Sequence, residues 1–389
     1  MPQGNPVFAG QGTTIFTVMS ALAVEHGAIN LGQGFPDEDG PMALREAASR
    51  ALIEGPNQYP PMKGRVELRR AIARHAKRFY DLDFDSEHEV LVTSGATEAL
   101  TASIMGLVGP GEEAVLIEPS YDSYRPICEA VGAVVRSVKL AEPDFRLRED
   151  ALRAVIGEKT RAIMINTPLN PIGRVFDRDE IETLARVVKE TSAVVICDEV
   201  YEHLVFDGHR HLPLANYPGM AGRTVTISSA AKMFNCTGWK IGWACGAADL
   251  IAGVRAAKQY LSYVGGAPFQ PAVAHALNTE QAWVAALRES LQAKRDKLGS
   301  ALADLGFEVH DSFGTYFLCA DPRPLGYHDS TEFCAQLPQR AGVAAIPMSA
   351  FCDPGADHAD AWNHLVRFAF CKRDETLDEA IRRLSVLRK

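Results

Sequence analysis

Ser228-Ser229-Ala230-Ala231-Lys232-Met233-Phe234-Asn235-Cys236-Thr237-Gly238-Trp239-Lys240-Ile241-Gly242-Trp243 follows a β-branched run, Thr224-Val225-Thr226-Ile227. The run reads as a short strand, so Ser229 and Lys232 stand at its carboxyl end, where open α/β sheets bind their ligands. A buried amine is costly there. Desolvation disfavours the ammonium form, and a lysine with a depressed pKa is the usual Schiff-base former. Ser229 and Lys240, on either side of Lys232, offer a hydroxyl donor and a cation to a phosphate. Most lysines are surface groups, and it is these neighbours that set Lys232 apart.

Other apolar runs end on polar residues in the same way. Val90-Leu91-Val92-Thr93 leads into Ser94-Gly95-Ala96-Thr97, with a helix expected over 97–105. Strand, small-residue turn and helix start make an anion cradle, because free N–H groups and the helix dipole point at one spot. Helix capping alone would also account for these residues. Ala114-Val115-Leu116-Ile117-Glu118 ends in Pro119-Ser120-Tyr121, whose ring would either stack on a flat heteroaromatic ligand or pack in the core. Arg161-Ala162-Ile163-Met164-Ile165-Asn166 precedes Thr167-Pro168-Leu169-Asn170-Pro171-Ile172-Gly173, a proline-dictated turn that holds Asn170 rigid enough to bond a fixed oxygen. Asp198 follows Ala193-Val194-Val195-Ile196-Cys197, with Tyr201 just beyond it. A carboxylate behind such a run is expected to be nearly buried and to want a cation, since an unpaired buried charge is expensive. Capping a helix is its rival role.

Toward the chain ends, Leu31-Gly32-Gln33-Gly34-Phe35-Pro36 reads either as a loop whose glycines let backbone approach a ligand or as a plain turn. Tyr59 precedes Pro60 and Pro61 in an extended segment. Val366-Arg367-Phe368-Ala369-Phe370 places an arginine in an apolar strand. Its partner there is a carboxylate gripped by the two-point fork, or a structural salt bridge. A helix expected over 281–305 repeats Val284, Leu291, Leu298 and Leu305 at one heptad spacing, as a spine joining two domains would.

The chain has 389 residues and a net charge of -9, enough for a sizeable core in two domains. No block of basic residues favours nucleic acid or an anionic membrane. The start, Met1-Pro2-Gln3-Gly4-Asn5-Pro6, has no basic region followed by an apolar core, and a cytoplasmic protein is expected. Eight cysteines are dispersed without a C-x-x-C pair and read as buried thiols in a reducing compartment. The histidines form no H-E-x-x-H pattern, so no metal is expected. No strand is followed by Gly-x-Gly-x-x-Gly, which argues against a nucleotide-dependent dehydrogenase.

Ser-x-x-Lys, then Phe, Thr-Gly-Trp-Lys and Gly-Trp, resembles the cofactor-lysine segment of the class I and II pyridoxal phosphate aminotransferases. The likeness runs from about residue 30 to residue 387 and includes the Leu-Gly-Gln-Gly-Phe-Pro loop. It implies an α/β protein of the aspartate aminotransferase-like type I fold. A large domain (40–285) would carry a mainly parallel sheet, and a smaller α+β domain would be closed from both termini (1–39 and 286–389). Lys232 would be the Schiff-base lysine. Ser229, Lys240, Gly95, Ala96 and Thr97 would hold the phosphate of pyridoxal 5'-phosphate, and Tyr121 would stack on its ring. Asp198 would pair with the ring nitrogen, and Asn170 and Tyr201 would share the phenolate oxygen. Gly34, Asn170 and Arg367 would meet the substrate, with Arg367 on its α-carboxylate. Tyr59 would reach the phosphate in a neighbouring subunit, which implies a homodimer. Many family members carry Arg in place of Lys240, a change of geometry but not of sign.

The reaction implied is amino-group transfer from an amino acid to a 2-oxo acid such as 2-oxoglutarate. Segments 228–246, 259–277 and 315–327 look particularly like N-succinyldiaminopimelate aminotransferases of lysine biosynthesis. Kynurenine, glutamine and methionine aminotransferases share residues 31–36 and 237–243. A cysteine-conjugate β-lyase on the same fold is an alternative activity. A ligand-sensing regulator is disfavoured, because motifs that begin near residue 30 leave no room for a DNA-binding module.

Overall fold

Strands with apolar residues at nearly every position make the centre of the molecule, described in this computed structural model over residues 4–9, 12–353, 355 and 360–388. Met1, Pro2 and Gln3, read above for a leader, lie outside the described residues. In chain order the strands are β1 (Ile29–Asn30), β2 (Val90–Thr93), β3 (Glu113–Glu118), β4 (Val134–Lys139), β5 (Thr160–Asn166), β6 (Val194–Asp198), β7 (Thr224–Ser229), β8 (Gly242–Gly246), β9 (Glu308–Val309), β10 (Phe317–Asp321), β11 (Val343–Ala344), β12 (Ile346–Pro347) and β13 (Val366–Ala369).

Strands β2 to β8 form one sheet in the order β2-β8-β7-β6-β5-β3-β4. Both of its faces are covered, which is why its strands read as apolar runs rather than alternations. Ala114, Leu116, Ala162, Met164 and Ile196 face the helices Ala96–Leu107 and Ala248–Lys258. Their chain neighbours Val115, Ile117, Ile163, Ile165 and Val195 face the helix Arg178–Lys189 on the other side. Within it the edge strand β4 alternates exposed and covered residues, and its half-polar sequence makes no apolar run.

All pairs in this sheet are parallel except those made by β8, which runs antiparallel to β2 and β7. The cause is the link from β7 to β8: it carries Lys232 and Lys240 and stays at the carboxyl end of β7, so the next strand must run back. This reversal brings Gly242 opposite both Thr93 and Ser229. A Cβ on Gly242 would lie 2.5 Å from the Gly95 carbonyl carbon, so the bare backbone is what lets the Gly95 turn sit against the lysine segment.

A second, antiparallel sheet has the order β12-β13-β10-β9, and β1 pairs with β11 as Ile29 opposite Val343. The Ala369 N–H also donates to the Leu31 carbonyl, at 2.6 Å, tying the start of the chain to its last strand. The spine helix runs unbroken over Gln281–Asp304 and buries Val284, Leu291 and Leu298 at the expected spacing.

The helices Ala96–Leu107 and Ala248–Lys258 cross on a pair of glycines: a Cβ on Gly106 would lie 2.4 Å from the Gly253 carbonyl oxygen. Gly106→Val is therefore expected to force the helices apart and cost about 1–3 kcal/mol, seen as a lower urea midpoint with an unchanged slope.

Candidate active site

The carboxyl ends of the parallel strands open on a cavity of about 450 Å³. Gly34, Gly95, Ala96, Thr97, Tyr121, Asn170, Asp198, Tyr201, Ser229, Lys232, Lys240 and Arg367 all line it. Tyr59 alone of the sequence candidates does not. It is 83% exposed and meets Tyr263 edge-on at 5.9 Å.

One end of the cavity is built for an anion. Gly95 caps the helix Ala96–Leu107 with a φ of 79°, a left-handed conformation that suits glycine. The first-turn N–H groups of that helix have no partner within it. Lys240 closes the cradle from the other side, with its Nζ 3.2 Å from where a Cβ of Gly95 would stand. Ser229, buried at the end of β7, and Thr97 add hydroxyls. Helix dipole, hydroxyls and ammonium together suit a phosphate.

Another part of the wall is built for a cation. Asp198 is 6% exposed at the end of β6. Its Oδ2 accepts from the Tyr124 hydroxyl at 2.6 Å, and its Oδ1 accepts from the Val200 N–H at 3.3 Å. Burial raises the carboxyl pKa, against the pull of Tyr124, Val200 and Lys232. Both hydrogen-bond donors are neutral, so a protonated ring nitrogen would supply the charge that is wanting. Asn166, opposite Asp198 in the next strand, donates from Nδ2 to the Asp198 carbonyl at 2.8 Å and accepts the Asn170 N–H at 2.7 Å. Tyr121 stands on the cavity wall, its pKa pushed up by burial to about 12. Phosphate cradle, ring wall and carboxylate thus fit pyridoxal phosphate.

Lys232 is half-buried on the short helix Ala230–Met233, and desolvation lowers its pKa to about 8. Its Nζ donates to the Tyr316 hydroxyl at 2.7 Å. Tyr316 in turn donates to the Gly34 carbonyl, and its ring meets that of Tyr201 edge-on at 5.2 Å.

Arg367 is 2% exposed in β13. Its Nη1 donates to Asn170 Oδ1 and its Nη2 to the Gly32 carbonyl, both at 2.8 Å. Its Nε has no hydrogen-bond partner among the described residues. The guanidinium lies 3.8 Å from the Phe317 ring centre and 4.6 Å from that of Phe351, and burial lowers its pKa to about 10. With its carbon frame covered and Nε unspent, the group suits a carboxylate.

Tyr124, Asn166, Tyr316 and Asp122 were not among the sequence candidates. The Tyr121-Asp122-Ser123-Tyr124 spacing carried a signal for Tyr124, whereas Tyr316 sits in an apolar run that reads as core. Asp122 places a carboxylate on the cavity wall, its pKa raised by burial against the pull of Arg367. Elsewhere, His75, Glu202 and His203 cluster with their ligand-type atoms within 4.8 Å of one another. The two Nε2 atoms are 2.7 Å apart, a hydrogen bond and closer than the roughly 3.3 Å that tetrahedral ligands of one zinc would keep.

The family described as aminotransferase class I and II matches residues 26–384. A probable N-succinyldiaminopimelate aminotransferase of Mycobacterium tuberculosis is 65% identical over 382 residues, 96% of each chain. The methionine aminotransferase of Escherichia coli is 41% identical over 377 residues, 97% of this chain and 96% of that one. Among solved structures, N-succinyldiaminopimelate aminotransferase from Mycobacterium tuberculosis superposes with a TM-score of 0.96 at 64% identity, over 99% of this chain and 100% of that one. Cavity, family match and relatives agree: the chain belongs to the class I and II aminotransferases, enzymes of the aspartate aminotransferase-like fold that work with pyridoxal phosphate.

Proposed function

We propose that the amino donor is N-succinyl-LL-2,6-diaminopimelate and the acceptor 2-oxoglutarate. The observation that carries the donor is the 65% identity, over 96% of both chains, with the relative named for that substrate. Bound in the cavity, pyridoxal phosphate supplies an aldehyde that takes up the amino group and a ring that draws electrons from the substrate Cα. The chain's own residues hold the substrate and move the proton.

Lys232 Nζ would take the proton from the substrate Cα as base and deliver it to the cofactor's C4′ carbon as acid, with the reverse transfer in the second half, a task that suits an amine whose pKa lies near 8. Asp198 holds a proton on the ring nitrogen, and its hydrogen bonds from Tyr124 and Val200 fix the carboxylate for that purpose. Asn170 and Tyr201 face the phenolate oxygen. Arg367 and the Gly34 backbone receive the α-carboxylate, and Tyr121 packs on the ring. Gly95, Ala96, Thr97, Ser229 and Lys240 hold the phosphate.

Among the described residues, the cations on the cavity wall are Lys232, Lys240 and Arg367, each already assigned. A succinylated donor carries further carboxylates, and we assign their cations to a partner subunit of a homodimer. The exposed, edge-on pair of Tyr59 and Tyr263 supports such an interface, with Tyr59 reaching the partner's phosphate. We divide the chain into a large unit of residues 40–285 and a small unit of 1–39 with 286–389, on the strength of the two sheets and the β1–β11 pair. Among the described residues no helix is long and apolar enough to cross a membrane, and the cysteines are unpaired. These two facts support a cytoplasmic enzyme.

Lys232→Ala is expected to keep the cofactor but lose at least about 1,000-fold in kcat, as removal of a general base does; normal turnover would remove Lys232 from its role. Tyr124→Phe should weaken cofactor retention by about 1–2 kcal/mol, measured as faster loss on dialysis. A panel of donors with 2-oxoglutarate should give the highest kcat/KM with the succinylated diamine, and a higher value with methionine or kynurenine would replace the substrate.

A further inference from the structure

Tyr316 is 1% exposed, packs between Tyr201 and Phe317, and belongs to none of the groups assigned above. Its hydroxyl has one proton to give. A carbonyl oxygen can only accept, so that proton goes to Gly34. Toward Lys232, at 2.7 Å, Tyr316 therefore presents a lone pair, and the lysine must be the donor. The contact is directional: the amine is held by one of its own N–H groups.

We propose that Tyr316 is a positioning residue for proton transfer: its hydroxyl, anchored on the Gly34 carbonyl, parks the free amine of Lys232 where it meets the substrate Cα. This rests on the reading of Lys232 as the base. An acceptor holds an ammonium more tightly than an amine, so Tyr316 also raises the lysine's proton affinity against the effect of burial. The hydroxyl is placed by the same sheet that reads the substrate. Tyr316 directly precedes β10, which pairs with β13, and Cys319 lies opposite Arg367. The Phe370 N–H donates to the Tyr316 carbonyl at 3.0 Å. Any movement of β13 that seats the α-carboxylate carries the Tyr316 hydroxyl with it, so carboxylate recognition and base placement share one rigid element.

Tyr316→Phe keeps the ring and removes only the oxygen. Two measurements on full-length protein test the proposal. In protein freed of cofactor, the pH dependence of Lys232 acetylation by trace acetic anhydride, followed by peptide mass spectrometry, should move down by about 0.5–1 unit in the variant. In the holoenzyme, kcat should fall about 10–100-fold with KM within about twofold, and the isotope effect with Cα-deuterated donor should rise. An unchanged urea midpoint shows that the fold is kept. Unchanged labelling and kcat in Tyr316→Phe, with Lys232→Ala inactive, would overturn the role of Tyr316 alone. Shifted labelling with unchanged kcat, together with an active Lys232→Ala, would overturn Lys232 as the base and this proposal with it.

Discussion

A carboxylate buried at the end of a central strand is the constraint around which the rest is arranged. Asp198 is out of water, its own hydrogen-bond donors are neutral, and burial has raised its pKa. Such a group is tolerable only in a fold that brings it a cation, and the position of that cation decides where everything else must stand. Tyr121, Asn170, Tyr201, Ser229, Lys232 and Lys240 all stand on the wall of the cavity that Asp198 lines. The antiparallel turn of β8 matters for the same reason, since it sets Lys240 against the Gly95 turn in the cavity that Asp198 also lines.

Much of this was legible in the residues themselves. Apolar runs such as Val194 to Cys197 announce strands covered on both sides, and a charged residue at the end of such a run, Asp198, or inside one, Arg367, announces a partner. Period-seven leucines announced the spine helix. The direction of β8 was not legible, because a strand's direction is set by where its connection ends and not by its own side chains. Edge strand β4, half polar, carried too little apolar signal. Tyr316 was hidden for the opposite reason: Thr315-Tyr316-Phe317-Leu318 looks like core, and it is core, except for one oxygen aimed at Lys232 and Gly34.

The cavity also shows how few charges one chain commits to recognition. Among the described residues, three cations (Lys232, Lys240 and Arg367) and two acids (Asp122 and Asp198) stand on its wall. Asp122 lies within the field of Arg367 and disfavours a second anion close to it.

The pairing of β1 with β11 imposes an order on synthesis. Ile29 leaves the ribosome early and Val343 near the end, yet the two are hydrogen-bonded neighbours in one small sheet. At translation rates of about 5–20 residues per second, the first strand waits on the order of tens of seconds for its mate. The whole seven-stranded sheet is completed meanwhile. The segment that carries Ile29 goes without this partner through that interval, until Val343 has emerged to pair with it.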